Sequence, residues 1–103
     1  MNEKIHAITI IIETLASDII ESLRRKIINE PAFVQLYAAL DEVYILTRQD
    51  KQIDKELAAV LFQIYSQLVT QSSYVYDVSP FVPHIGKMQG MIRKIFGGTL
   101  QNS

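Results

Sequence analysis

The stretch NEKIHAITIIIETLASDIIESLRRKII, residues 2–28, decides the fold. Ile5, Ile8, Ile12, Leu15, Ile19, Leu23 and Ile27 recur every three or four positions, the spacing that stacks side chains on one face of an α-helix. Ile10, Ile11 and Ile20 widen that stripe, while Glu13, Asp18, Glu21, Arg24 and Arg25 occupy much of the remaining surface. The isoleucine run favours a strand on propensity alone. Its charged neighbours do not alternate with period two, however, so one long amphipathic helix is predicted. Ser17 and Asp18 have the chemistry to cap a second helix, but an unbroken helix is the simpler reading.

A helix with one greasy face needs partners, and the rest of the chain supplies three. Asn29 tolerates the left-handed backbone that ends helices, and Pro31 drives Glu30 out of helical geometry while suiting the first turn of a new helix. That second helix, residues 31–47, buries Phe33, Leu36, Tyr37, Leu40, Val43 and Tyr44. Residues 48–51 make a short polar connection with Asp50 as the N-cap, and short connections favour antiparallel neighbours. A third helix runs to residue 72 and buries Ile53, Leu57, Val60, Leu61, Ile64 and Leu68.

Residues 74–82 read as a loop, with two tyrosines alternating with valine and aspartate before Ser79-Pro80. Ser79 can cap a helix, but Pro83 restrains Val82, which sets the regular start of a fourth helix near Pro83. That helix turns Ile85, Met88, Met91, Ile92 and Ile95 inward and stops at Gly97-Gly98. Four stripes and no confident strand predict an all-α protein, an antiparallel up-and-down four-helix bundle. It forms a single domain over residues 1–98, with a flexible tail at residues 99–103.

The 103 residues suffice for one hydrophobic core, and 49 % apolar with 20 % charged residues is a folding composition. A net charge of −1 offers no general attraction to nucleic acid or to anionic lipid. With no cysteine, disulfides, thiolate metal sites and thiol nucleophiles are excluded together. The run at residues 8–12 is bracketed by Glu3, Lys4 and Glu13, which argues against a signal peptide, and no stretch is apolar enough to span a bilayer. A cytoplasmic location is expected, peripheral at the inner membrane face where contact with a membrane partner requires it.

No catalytic, cofactor-binding or metal site is predicted. His6 and His84 lie in different helices without ligand spacing, Glu-x-x-His pairs are missing, and neither a nucleophile elbow nor a glycine-rich phosphate loop occurs. His84-Ile85-Gly86-Lys87 resembles the phosphoacceptor region of histidine-phosphotransfer domains, which are also four-helix bundles; the plainer reading is a solvated histidine at a helix start. Gly86 and Gly90 weaken the fourth helix, a reading we place ahead of a close helix contact. Residues 71–103 are locally basic, with Lys87, Arg93 and Lys94 against Asp77, and Tyr74, Tyr76 and Phe81 add aromatic anchors. Tyr74, Tyr76, Lys87, Arg93 and Lys94 are therefore the candidate partner-binding residues. The competing reading has the tyrosines sealing the bundle end and the lysines solvated.

Residues 31–50, PAFVQLYAALDEVYILTRQD, with LYAAL at 36–40 and the long apolar-periodic helix that follows, resemble the enterocin A immunity family over residues 31–96. The resemblance implies a cytoplasmic antiparallel four-helix bundle without catalysis. It implies that the bundle blocks pore formation by a pediocin-like peptide, acting with the peptide's membrane receptor, the mannose phosphotransferase permease. It also implies recognition by the C-terminal half, here residues 74–82, the fourth helix and the tail. The alternatives are a phosphotransfer module using His84 and a helical adaptor or dimerisation domain.

Overall fold

The computed structural model describes residues 3–50 and 52–97. They form four helices, α1 (Glu3–Arg24), α2 (Glu30–Thr47), α3 (Lys55–Ser72) and α4 (Val82–Phe96), with no strand among the described residues. The expected all-α four-helix architecture is the one observed. The flexible tail assigned to residues 99–103 lies outside the described residues, as do the predicted first residue of α1 and Gly98.

The helix ends differ from expectation in instructive ways. α1 is unbroken through Ser17 and Asp18, as predicted, but it stops at Arg24. Lys26 takes the left-handed conformation at φ 65°, its amide donates to the Leu23 carbonyl at 2.8 Å, and Ile27 N–H reaches back to the Ser22 carbonyl at 2.9 Å. That pair of bonds is a Schellman termination. Asn29 does not end α1; its side chain accepts from Ala32 N–H at 3.2 Å and caps α2. Because α1 ends early, Ile27 leaves the stripe and lies exposed, and Ile10 and Ile11 are likewise outside the core.

The N-cap of α3 is Asp54, not Asp50. Its carboxylate accepts from Glu56 N–H at 2.8 Å and Leu57 N–H at 3.1 Å, satisfying two amides of the first turn. Asp50 instead donates its own N–H to the Thr47 carbonyl at 2.8 Å. The connection therefore spans residues 48–54, and Ile53, expected inside α3, precedes it and is only half-buried.

That longer link changes which helices are neighbours. α1 packs against α2 and α3, and α4 packs against the same two, so the consecutive pair α2 and α3 lies across the diagonal. Seven extended residues reach roughly 23 Å. A square of helices about 10 Å apart has a diagonal near 14 Å, so the link spans it easily. The starts of α2 and α4 meet through Glu30 and His84, and their later turns meet through Tyr44 and Lys94. These two helices therefore run side by side in one direction, while consecutive helices alternate.

The core joins residues from all four helices, including Ile12, Ile19 and Leu23 of α1, Phe33, Leu36 and Leu40 of α2, Leu61 and Ile64 of α3, and Met88 of α4. Phe81, expected in the exposed loop, is buried as the residue immediately before α4. Buried Thr9 and Thr47 donate to the carbonyls of Ile5 and Val43, each at 2.7 Å, so neither hydroxyl is left unmatched.

Candidate functional site

The most elaborate side-chain arrangement sits where the first turns of α2 and α4 meet. Pro31 and Pro83 fix the entries of these helices, and each entry brings one ionisable group, Glu30 and His84, to the shared end. His84 Nε2 lies 2.9 Å from Glu30 Oε1, and Nδ1 lies 2.5 Å from the Tyr37 hydroxyl. A carboxylate only accepts, so Nε2 carries a proton, and in the neutral ring Nδ1 accepts from Tyr37. The imidazole stacks on Phe33 with ring centroids 4.2 Å apart.

The solvated histidine expected from the sequence is instead a clamp. Its side chain is only 12 % exposed and both ring nitrogens are engaged. A phosphoacceptor needs a free, outward-facing ring nitrogen to attack phosphorus, and here the nitrogen near solvent faces Glu30. Nothing in the sequence displays this cluster, since Tyr37 and His84 are 47 positions apart. The one available signal was that Glu30 and His84 both adjoin a proline at a helix entry.

Burial pushes the Tyr37 hydroxyl well above the ordinary tyrosine value, and the nearby Glu30 carboxylate pushes the same way. The folded state thus prefers the protonated phenol. Its contribution is fully present below about pH 10, where an unfolded tyrosine titrates, and is lost as pH rises further. Denaturant midpoints measured from pH 8 to 11 should fall more steeply above pH 10 for the native chain than for Tyr37→Phe. Parallel curves would remove this account of the hydroxyl.

The five candidate partner-binding residues do not form one surface of a single kind. Lys87 lies over the Tyr37 ring at 5.1 Å and Lys94 over the Tyr44 ring at 4.4 Å. Two lysines seven residues apart on α4 thereby cover two tyrosines seven apart on α2, a register fixed by two helical turns. Arg93 is exposed on α4. Tyr74 and Tyr76 stand apart from these in the connection to α4; Tyr74 is 71 % exposed and Tyr76 fully so. The Tyr74 ring lies 5.9 Å from Lys26 Nζ, which places the end of α1 beside this loop. Hydrogen bonds from Ser79, through its hydroxyl and its amide, shape the loop and hold the Asp77 carboxyl below its usual range.

A groove of about 570 Å³ runs between α1 and α3 past the small side chains of Ala16 and Ala59. Glu13, Glu21 and Glu56 line it with Arg24, and no histidine, lysine or cysteine joins them. Among the described residues no three histidine, cysteine or acidic side chains are grouped to hold a metal ion, and no helix is long and apolar enough to cross a membrane.

No protein-family model, curated protein or solved structure matches this chain.

Proposed function

We propose that this chain is an immunity protein, protecting the cell that makes it from a pediocin-like pore-forming peptide by acting with the peptide's membrane receptor, the mannose phosphotransferase permease. The likeness of residues 31–96 to the enterocin A immunity family motivates this reading. The observation that carries it is the loop leading into α4, where Tyr74 and Tyr76 project beyond a closed core. Exposed aromatic side chains of this size are suited to burial against a partner. The bundle itself is the scaffold that holds them, and the polar cluster at His84 is committed to joining α2 and α4.

The test is expression in a sensitive strain challenged with a panel of pediocin-like peptides. Survival should rise at least tenfold against one or a few members of the panel. Replacing Tyr74 and Tyr76 with serine should reduce that protection without lowering the amount of folded protein. Unchanged survival across the panel, with the native chain folded and abundant, refutes the reading.

A further inference from the structure

We propose that α4, together with residues 73–81 before it, opens as one unit while α1, α2 and α3 stay folded, with the Tyr37–His84–Glu30 cluster as its latch. This opening goes beyond the immunity reading and does not depend on it.

The packing divides the bundle at this place. α1 lies against both α2 and α3, whereas α1 and α4 do not pack on each other among the described residues. Departure of α4 therefore leaves a connected body in which α1 still bridges the diagonal pair. The reverse is far costlier, because α1 buries ten residues and α4 only Met88, Met91 and Ile95.

α4 is also the helix least able to hold itself. Asn29 and Asp54 cap α2 and α3, but no side chain caps the start of α4 and no acidic residue stands in its first turn. Gly86 and Gly90 lie exposed in its interior. A 15-residue helix of this composition is not stable alone, so leaving the core and unfolding are one event. Phe81 goes with it, since its carbonyl accepts from His84 N–H at 3.1 Å and Ile85 N–H at 2.9 Å.

The preceding connection permits the movement. Its backbone hydrogen bonds are local, from Tyr74 N–H to the Gln71 carbonyl at 3.0 Å and from Phe81 N–H to the Val78 carbonyl at 2.8 Å. Half-buried Val75 and the Lys26 contact to the exposed Tyr74 ring join it to the other helices. Against opening stand the buried apolar side chains of the unit and its links to α2: the His84 bonds to Glu30 and Tyr37, Lys87 over Tyr37 and Lys94 over Tyr44. Tyr74, Tyr76, Lys87, Arg93 and Lys94 all belong to this unit, so a partner that grips them is coupled to the opening equilibrium.

The experiment is native-state hydrogen exchange of the full chain, followed by NMR amide by amide at low urea concentrations. Relative to their intrinsic rates, the slowest amides of α4 should exchange at least about a hundredfold faster than the slowest of α1 and α3. They should converge on one shared opening whose urea dependence is real but shallower than that of α1. Ile20→Val, in the groove between α1 and α3, should speed the slowest α1 and α3 amides about fivefold and leave those of α4 unchanged. Tyr37→Phe, which removes one bond of the latch, should speed both sets by the same factor, about fivefold. Equal protection and equal urea slope in all helices would show one cooperative body and overturn the opening, as would an Ile20→Val that speeds α4 as much as α1. Exchange in α4 without urea dependence, each amide at its own rate, is fraying and would overturn it too. None of these readouts involves survival against a peptide, so this opening and the immunity reading fail separately.

Discussion

Phe33→Ala is expected to destabilise the protein by about 3–5 kcal/mol, the range for removing a fully buried aromatic side chain. Phe33 has no exposed surface and sits where α2 meets the entry of α4. Its ring supports the His84 imidazole at 4.2 Å and contacts the Tyr37 ring at 5.8 Å. Truncation therefore removes core volume and also the platform that orients the Tyr37–His84–Glu30 hydrogen bonds. A domain of this size has about 5–15 kcal/mol in total, so a large fraction of its stability is lost with this one side chain. Phe33→Leu keeps most of the volume but not the flat face, and should cost about 1–2 kcal/mol. Urea denaturation followed by circular dichroism checks both. A loss below about 1 kcal/mol for the alanine variant would show that the α2–α4 junction contributes little.

The double substitution Gly86→Ala with Gly90→Ala should act in the opposite direction, stabilising the protein by about 2 kcal/mol. Both glycines are exposed within α4, neither has positive φ, and a methyl group at either position meets no atom within 4 Å. Each alanine then recovers about 1 kcal/mol of backbone entropy without strain. A close helix contact at these positions would have made the substitutions destabilising, and the open space around them supports the weak-helix reading. The change should appear as a rise in the urea midpoint with an unaltered slope; a fall in midpoint would contradict it. Gly97 is the contrasting case, because a methyl group there would collide with the Arg93 carbonyl oxygen.

These two sites mark what the sequence could and could not disclose. Helix existence was legible because apolar spacing alone sorts the buried residues: Ile12, Leu36, Leu61, Ile64 and Met88 all fall where periodicity places them. Helix ends were less so, since several residues nearby can serve as caps. Lys26 takes the terminating role expected of Asn29, which caps α2 instead, and Asp54 does the work assigned to Asp50. That last difference also lengthened the α2–α3 link and hid the diagonal arrangement. Phe81, placed with Tyr74 and Tyr76 among the aromatic anchors of the loop, is buried instead, because a residue just before a helix can point straight into the core. Lys87 and Lys94 looked like free cations because periodicity puts them off the apolar stripe. Only the side-by-side placement of α2 and α4 reveals the tyrosines beneath them.

The central structural claim is that His84 joins α2 to α4 with both ring nitrogens engaged. Its most direct test is the long-range ¹H–¹⁵N correlation spectrum of the histidine rings in the native chain near pH 8, assigned with His6→Gln. The account predicts a single tautomer for His84 with the proton on Nε2, and cross-relaxation from its ring protons to the Phe33 ring. A mixture of tautomers, with no contact to Phe33, would contradict the clamp and return His84 to consideration as a phosphoacceptor.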